Sequence, residues 1–125
     1  MEKYLYFRSD ATAANDDDAA AGSNVYPLSS FVGMESTADS TMTLYFKPKR
    51  NYLSGGEGAN ADYLTDNVII TITTANNQKA VMQGLVERFA KSREEFIVVA
   101  DDQAGEYAHS DIASVGDFTV QAAQA

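Results

Sequence analysis

The pattern of apolar and polar positions predicts that residues 66–101 form the centre of this chain. DNVIITITT alternates apolar side chains with a period of two, which predicts a strand, and EEFIVVAD holds a continuous apolar run typical of a buried strand. Between them the apolar positions follow one helical stripe, formed by Val81, Met82, Leu85, Val86 and Phe89. The segment therefore predicts a strand–helix–strand unit with the helix over about residues 76–92, and its helical connection favours parallel pairing.

Two details of the predicted helix can be tested against a structure. Thr74 or Asn76 is suited to cap its first turn by accepting from free amides. Gly84 costs about 1 kcal/mol in a helix relative to alanine. Because it neighbours the apolar stripe, we expect it to allow a close approach to the sheet.

Further strands are predicted on either side of this unit. Residues 2–8 are rich in aromatic side chains, and residues 41–49 alternate in TMTLYF before Pro48 ends the strand. A closing strand is expected within residues 112–120, with residues 116–120 favoured. Residues 25–36 allow two interpretations, an extended segment broken at Pro27 or a strand followed by a turn at Gly33.

Together these elements predict an α+β fold in a single domain of residues 1–125. The sheet is expected to be mixed or mainly antiparallel, with five to six strands and one amphipathic helix packed on one face. Polar loops are predicted at about residues 9–24 and 50–65. One helix cannot cover both faces of a sheet, and both central strands look covered on both faces. We therefore expect a homo-oligomer, as a trimer or a dimer.

Composition narrows the classes of partner. The chain has 18 acidic and 9 basic side chains, a formal net charge of −9, and no cysteine. Nucleic acids and anionic membranes are bound through clustered Lys and Arg, so neither is an expected partner. The absence of cysteine excludes disulfides and thiolate metal sites. We recognise neither a signal peptide nor an apolar run of about 20 residues, the length a membrane span needs.

Motifs for catalysis, metals or cofactors are weak. Asp16–Asp18 lack the alternating ligands of a calcium loop, and the glycines at 55, 56 and 58 lack the Lys of a phosphate-binding loop. We therefore predict no catalytic site, no cofactor and no metal site.

The one candidate ligand cluster follows the second central strand and consists of Asp101, Asp102, His109 and Asp111. Carboxylates and an imidazole beyond a strand end suit metal binding or acid–base chemistry. The favoured alternative is a turn that carries a surface histidine, because no spacing forces these four side chains to converge.

Tyrosines offer a different kind of site. A tyrosine joins a large apolar ring to a polar tip, which suits protein interfaces. Four tyrosines in or beside predicted strands exceed what one small core must bury: Tyr4, Tyr6, Tyr26 and Tyr45. They are candidate interface residues, and the alternative places them on the sheet surface of a monomer.

The order of KYLYFRS, TMTLYFKPK, NVIITIT, an amphipathic helix and FIVVADD resembles small proteins of marine tailed phages, especially the T4-like phages of cyanobacteria. The resemblance implies a non-enzymatic phage structural or virion-accessory protein that self-associates, together with other virion proteins, in the virion or the host cytoplasm. Two alternatives remain at this point. One is a module that binds a host protein or ligand near Asp101–Asp111, and the other is a small hydrolase using Asp101, Asp102 and His109.

Overall fold

The computed structural model describes residues 2–9, 22–48, 65–116 and 118–119. Within these residues the chain forms eight strands and one α-helix. In chain order they are β1 (Tyr4–Arg8), β2 (Ser23–Pro27), β3 (Phe31–Ala38), β4 (Thr41–Phe46), β5 (Asp66–Ile72), α1 (Gln78–Lys91), β6 (Phe96–Asp101), β7 (Glu106–Tyr107) and β8 (Ile112–Val115). A single 3₁₀ turn, Leu28–Ser30, joins β2 to β3.

The described strands make two sheets of four strands. Sheet A has the order β2–β1–β6–β7, and sheet B has the order β3–β4–β5–β8. All neighbouring strands are antiparallel except β1 and β6, which are parallel. The predicted α+β class is confirmed, and the prediction of a single sheet with five to six strands is wrong.

The strand–helix–strand unit does not form a parallel pair. β5 pairs with β4 and β8 in sheet B, whereas β6 pairs with β1 and β7 in sheet A. The helix therefore connects two sheets. An apolar run shows that a strand has a buried face but does not identify its neighbours, and here the pairing of β6 with the distant β1 prevails over the local connection.

The core lies between the two sheets and is built around stacked aromatic rings. Tyr26 stacks on Phe46 with ring centroids 4.6 Å apart, and Phe118 stacks on Tyr26 at 5.1 Å. Phe7 meets Phe46 edge to face at 5.8 Å. Aromatic side chains bury about 150–250 Å² each, so this group supplies much of the apolar contact between the sheets.

The helix lies within two residues of its predicted bounds and contacts sheet B and the residue before β1. Val81, Leu85 and Phe89 are buried, whereas Val86 is 53% exposed, so the buried stripe is narrower than predicted. The Phe89 ring meets Phe31 of β3 at 5.8 Å. Lys3, just before β1, donates from Nζ to the Phe89 carbonyl at 2.6 Å. This cation occupies the C-terminal end of the helix, where positive charge is favourable.

Several boundaries differ from the predictions. The segment 25–36 is broken at Pro27, as one of its two interpretations proposed, and β3 continues through Gly33. Among the described residues the last strand is β8 at Ile112–Val115. Of residues 116, 118 and 119, the described part of the favoured 116–120 segment, Thr119 makes a bridge to Asn67. The predicted loops 9–24 and 50–65 fall mostly outside the described residues, although Ser23 and Asn24 belong to β2.

The start of α1 is not capped as predicted. The N-cap residue is Asn77, whose side chain makes no cap hydrogen bond. Asn76 has a positive φ of 64°, a conformation that Asn tolerates better than most residues. Asp111 instead holds the turn before the helix through Thr74 and Asn77.

Candidate functional site

The four residues of the predicted ligand cluster lie in the connection from β6 to β8. Asp101 is the last residue of β6, and its Oδ1 accepts from the backbone N–H groups of Gln103 and Ala104, both at 3.0 Å. Such bonds to the following amides are typical of an aspartate that starts a turn. The Asp101 carboxylate thus stabilises the turn between β6 and β7.

Asp102 joins the two sheets. Its carboxylate accepts from the Tyr107 hydroxyl at 2.8 Å and from the Val115 N–H at 3.2 Å. Tyr107 belongs to sheet A and Val115 to sheet B. Burial, and then the hydrogen bond to Asp102, raises the pKa of Tyr107 to about 12, so this phenol remains a donor throughout the physiological range.

His109 packs against the helix. Its Nδ1 accepts from the Asp111 N–H at 3.0 Å. Its ring lies so close to Gly84 that a Cβ added there would be 2.4 Å from His109 Cδ2. Gly84 therefore allows a close approach, as predicted, but to the side chain of His109 in the loop after β7.

Asp111 holds the turn before α1. It accepts from the Thr74 hydroxyl at 2.9 Å and from Asn77 Nδ2 at 3.1 Å. The side-chain hydrogen bond from Asn77, followed by those from Thr74, lowers the pKa of Asp111. Its carboxylate stays charged at neutral pH and fixes the loop between β5 and the helix.

The four side chains consequently stabilise different parts of the structure. Asp101 and Asp102 accept hydrogen bonds around β7. His109 packs against the helix, and Asp111 accepts hydrogen bonds from the turn before it. Across residues 2–9, 22–48, 65–116 and 118–119, no group of three or more His, Asp or Glu side chains could hold a metal ion. This geometry favours the interpretation of these residues as a turn.

The outer face of sheet A is the more distinctive surface. Leu5 and Phe7 of β1 are buried, so the alternation of a strand places Tyr4, Tyr6 and Arg8 on the opposite side. The same alternation places Val25 of β2 and Phe96 and Val98 of β6 beside them. We call Tyr4, Tyr6, Val25, Phe96 and Val98 the aromatic face.

Three side chains of the aromatic face are about half exposed, whereas Tyr6 and Val98 are half-buried. Phe96 is 52% exposed, Tyr4 43% and Val25 40%. The rings of Tyr6 and Phe96 lie 5.2 Å apart, and the Arg8 guanidinium lies 5.9 Å from the centre of the Tyr6 ring. Clustered half-exposed apolar side chains on a sheet face are typical of an interaction surface.

The predicted interface tyrosines divide into three groups. Tyr4 and Tyr6 belong to the aromatic face. Tyr26 cannot belong to an interface, because it is fully buried and donates to the buried Asp66 carboxyl at 2.5 Å. Tyr45 lies in sheet B and donates to Glu35 at 2.5 Å, so it is remote from the other two in the fold.

Sequence reasoning missed Phe96, Val98 and Val25. Phe96 belongs to an apolar run that predicts burial on both faces, and the structure buries only one face at that position. The register shows the grouping directly, because Tyr4 pairs with Phe96 while Tyr6 pairs with both Val25 and Val98. Parallel pairing of β1 with β6 could not be read from the sequence.

A second surface feature lies between α1 and β3. Ser36 and the helix residues Lys79, Met82, Gln83, Val86 and Glu87 line an open groove of about 800 Å³. Met82 and Val86 supply its apolar side chains.

The edges of both sheets include features that disfavour pairing with a strand of another chain. β3, an edge strand of sheet B, has register shifts between Phe31 and Gly33 and between Ser36 and Ala38. Bulges twist an edge away from a regular ladder. At one edge of sheet A, β7 is two residues long. These features favour contact through a sheet face over contact through these edges.

Comparison of the chain with protein-family models, with curated proteins and with solved structures finds no match. Among the described residues, no helix has the length and apolar character required to cross a membrane.

Proposed function

We propose that this chain is a non-enzymatic structural subunit that self-associates through the aromatic face. The observation that carries the proposal is the group of half-exposed rings on sheet A, with Phe96 52% and Tyr4 43% exposed. The resemblance to small phage proteins supplies the setting, a phage structural or virion-accessory component. In that setting the protein acts by assembling with other subunits and not by catalysis.

The composition of the aromatic face favours a second copy of this chain as its binding partner. The aromatic face carries no formal charge, in a chain whose formal net charge is −9. Apolar sheet faces pack against each other readily, and a second copy supplies a face of the same kind. Isologous contacts between identical subunits are also the commonest type of interface in soluble oligomers.

The contribution of one ring can be worked out. Half of an aromatic side chain corresponds to about 100 Å². At about 25 cal/mol per Å², covering the exposed half of Phe96 contributes about 2.5 kcal/mol per subunit. Part of this gain is offset by the entropic cost of ordering the interface side chains and by imperfect packing. We therefore expect Phe96→Ser to weaken association at least about tenfold.

Sedimentation equilibrium of the wild type and Phe96→Ser tests the proposal. Ile69→Thr is the matched control, because Ile69 is 47% exposed but lies in sheet B. Self-association that is weakened by the Phe96 variant and unaffected by the Ile69 variant supports the aromatic face as the interface. Equal weakening by both variants would contradict it.

The phage setting needs its own experiment. Mass spectrometry of purified virions from the phage that encodes this chain should detect it as a particle component. Its absence from the virion, in a lysate where the protein is abundant, would contradict the virion role and leave self-association to be judged separately.

A further inference from the structure

We propose that the groove between α1 and β3 is a second surface of self-association, at which the helices of two copies pack antiparallel with Lys79 of each copy beside the partner's Glu87. The groove lies at the β3 edge of sheet B, whereas the aromatic face lies on sheet A. The contact therefore goes beyond the proposed function, and the two surfaces can be tested independently.

The exposed side of α1 carries a short apolar stripe. Val86 is 53% exposed, and Met82 is only partly buried against the core. These side chains lie four residues apart, so they are neighbours on the helix surface. Both line the open groove of about 800 Å³. Covering such a stripe with a second helix removes apolar surface from water, which favours association.

Two opposite charges border the stripe. Lys79 and Glu87 line the same groove and are exposed, and within the described residues neither forms an ion pair. Lys79 is the second residue of α1, where the helix dipole disfavours a cation. Its own helix therefore does not stabilise this charge, and a carboxylate from outside the subunit would.

The spacing of the two charges makes the groove self-complementary. Gln83 lies four residues from each of them, which is about 6 Å along the helix. A two-fold axis between antiparallel helices, at the level of Gln83, brings each Lys79 level with the partner's Glu87. Parallel helices in the same register would bring like charges together. This charge complementarity favours a second copy of the chain, packed antiparallel, as the partner.

The helix contact is expected to be weaker than the contact of the aromatic face. Exposed charge pairs contribute little each, and the apolar stripe consists of two side chains. We therefore expect association through the groove in the submillimolar range. A chain with two isologous surfaces can extend its assembly beyond a dimer, as a structural subunit at high local concentration requires.

Charge reversal followed by mixing provides the test. In a Phe96→Ser background, which weakens the aromatic face, Lys79→Glu and Glu87→Lys each place like charges together at both symmetric positions. Sedimentation equilibrium at submillimolar concentration should show each variant weakened at least about fivefold. An equimolar mixture of the two variants should restore association, because one chain then carries two anions and the other carries two cations at these positions.

Two matched controls separate the local contact from the effect of net charge. Lys91→Glu and Glu106→Lys change the net charge by the same amounts, at exposed positions that do not line the groove. Both should leave association within about twofold of the background. Thermal unfolding followed by circular dichroism checks that every variant folds.

Recovery in the mixture, after loss in both single reversals and little change in the controls, supports the antiparallel helix contact. Single reversals that match the controls, or a mixture that fails to recover, overturn it. A Phe96→Ser chain that stays monomeric at submillimolar concentration also overturns it. The proposed function is judged separately, by the difference in association between the wild type and Phe96→Ser.

Discussion

Replacing Gly84 by alanine tests the contact between α1 and the loop before β8. A Cβ at this position would lie 2.4 Å from His109 Cδ2, and the imidazole is anchored by the 3.0 Å bond from the Asp111 N–H. Overpacking of this kind costs about 1–3 kcal/mol, whereas alanine gains about 1 kcal/mol over glycine inside a helix. We expect Gly84→Ala to lower the free energy of unfolding by about 1 kcal/mol, and Tm by about 4 °C.

The same substitution should have the opposite sign once the ring is removed. In a His109→Ala background, Gly84→Ala is expected to stabilise the protein by about 1 kcal/mol, because only the helix propensity remains. Urea unfolding of the four proteins then gives a coupling free energy of about 2 kcal/mol. Gln83→Ala, at an exposed helix position, is the control and should change stability by less than about 0.5 kcal/mol. Equal effects of Gly84→Ala in both backgrounds would show that the His109 ring does not limit the space at Gly84.

Three further predictions concern the connection from β6 to β8. The Tyr107 hydroxyl and the Val115 N–H both donate to Asp102, and Asp102→Asn replaces one of its acceptor oxygens by a donor. We expect urea unfolding of this variant to show a free energy of unfolding lower by about 1–3 kcal/mol. The raised pKa of Tyr107, about 12, predicts that this phenol ionises after an unperturbed tyrosine near pH 10. The stability that this raised pKa contributes is present below pH 10 and is lost between about pH 10 and 12. Tyr107→Phe should remove one late-ionising phenol from the absorbance titration. The lowered pKa of Asp111, caused first by the Asn77 hydrogen bond, predicts stability that is present above about pH 4 and lost as the pH falls through the folded pKa. Asp111→Asn should therefore flatten the acid side of the stability profile, and an unchanged profile would contradict the role of that carboxylate.

Local patterns predicted the elements of this fold better than their arrangement. The apolar stripe located the helix to within two residues, and alternation located β4 and β5, because both signals arise within a few consecutive residues. The division into two sheets depends on β1 pairing with β6, which lies about 90 residues later. Pairing over such a distance leaves no periodic signal in a single sequence.

The residues of the aromatic face were likewise predicted only where their own type was informative, and not where strand pairing decides their position. Sequence analysis identified Tyr4 and Tyr6 as interface candidates because tyrosine suits interfaces and the number of strand tyrosines exceeds what one small core must bury. It also grouped Tyr26 with them, although stacking on Phe46 and the bond to Asp66 place that ring in the core. Phe96 joins the aromatic face only through strand register, so no local pattern could have assigned it.

Static light scattering of the wild-type chain at tens of micromolar measures self-association directly. We expect a mass that rises with concentration toward twice the 13.5 kDa of one chain, with Phe96→Ser remaining closer to the monomer. A wild-type chain that stays strictly monomeric over this range would contradict self-association through the aromatic face.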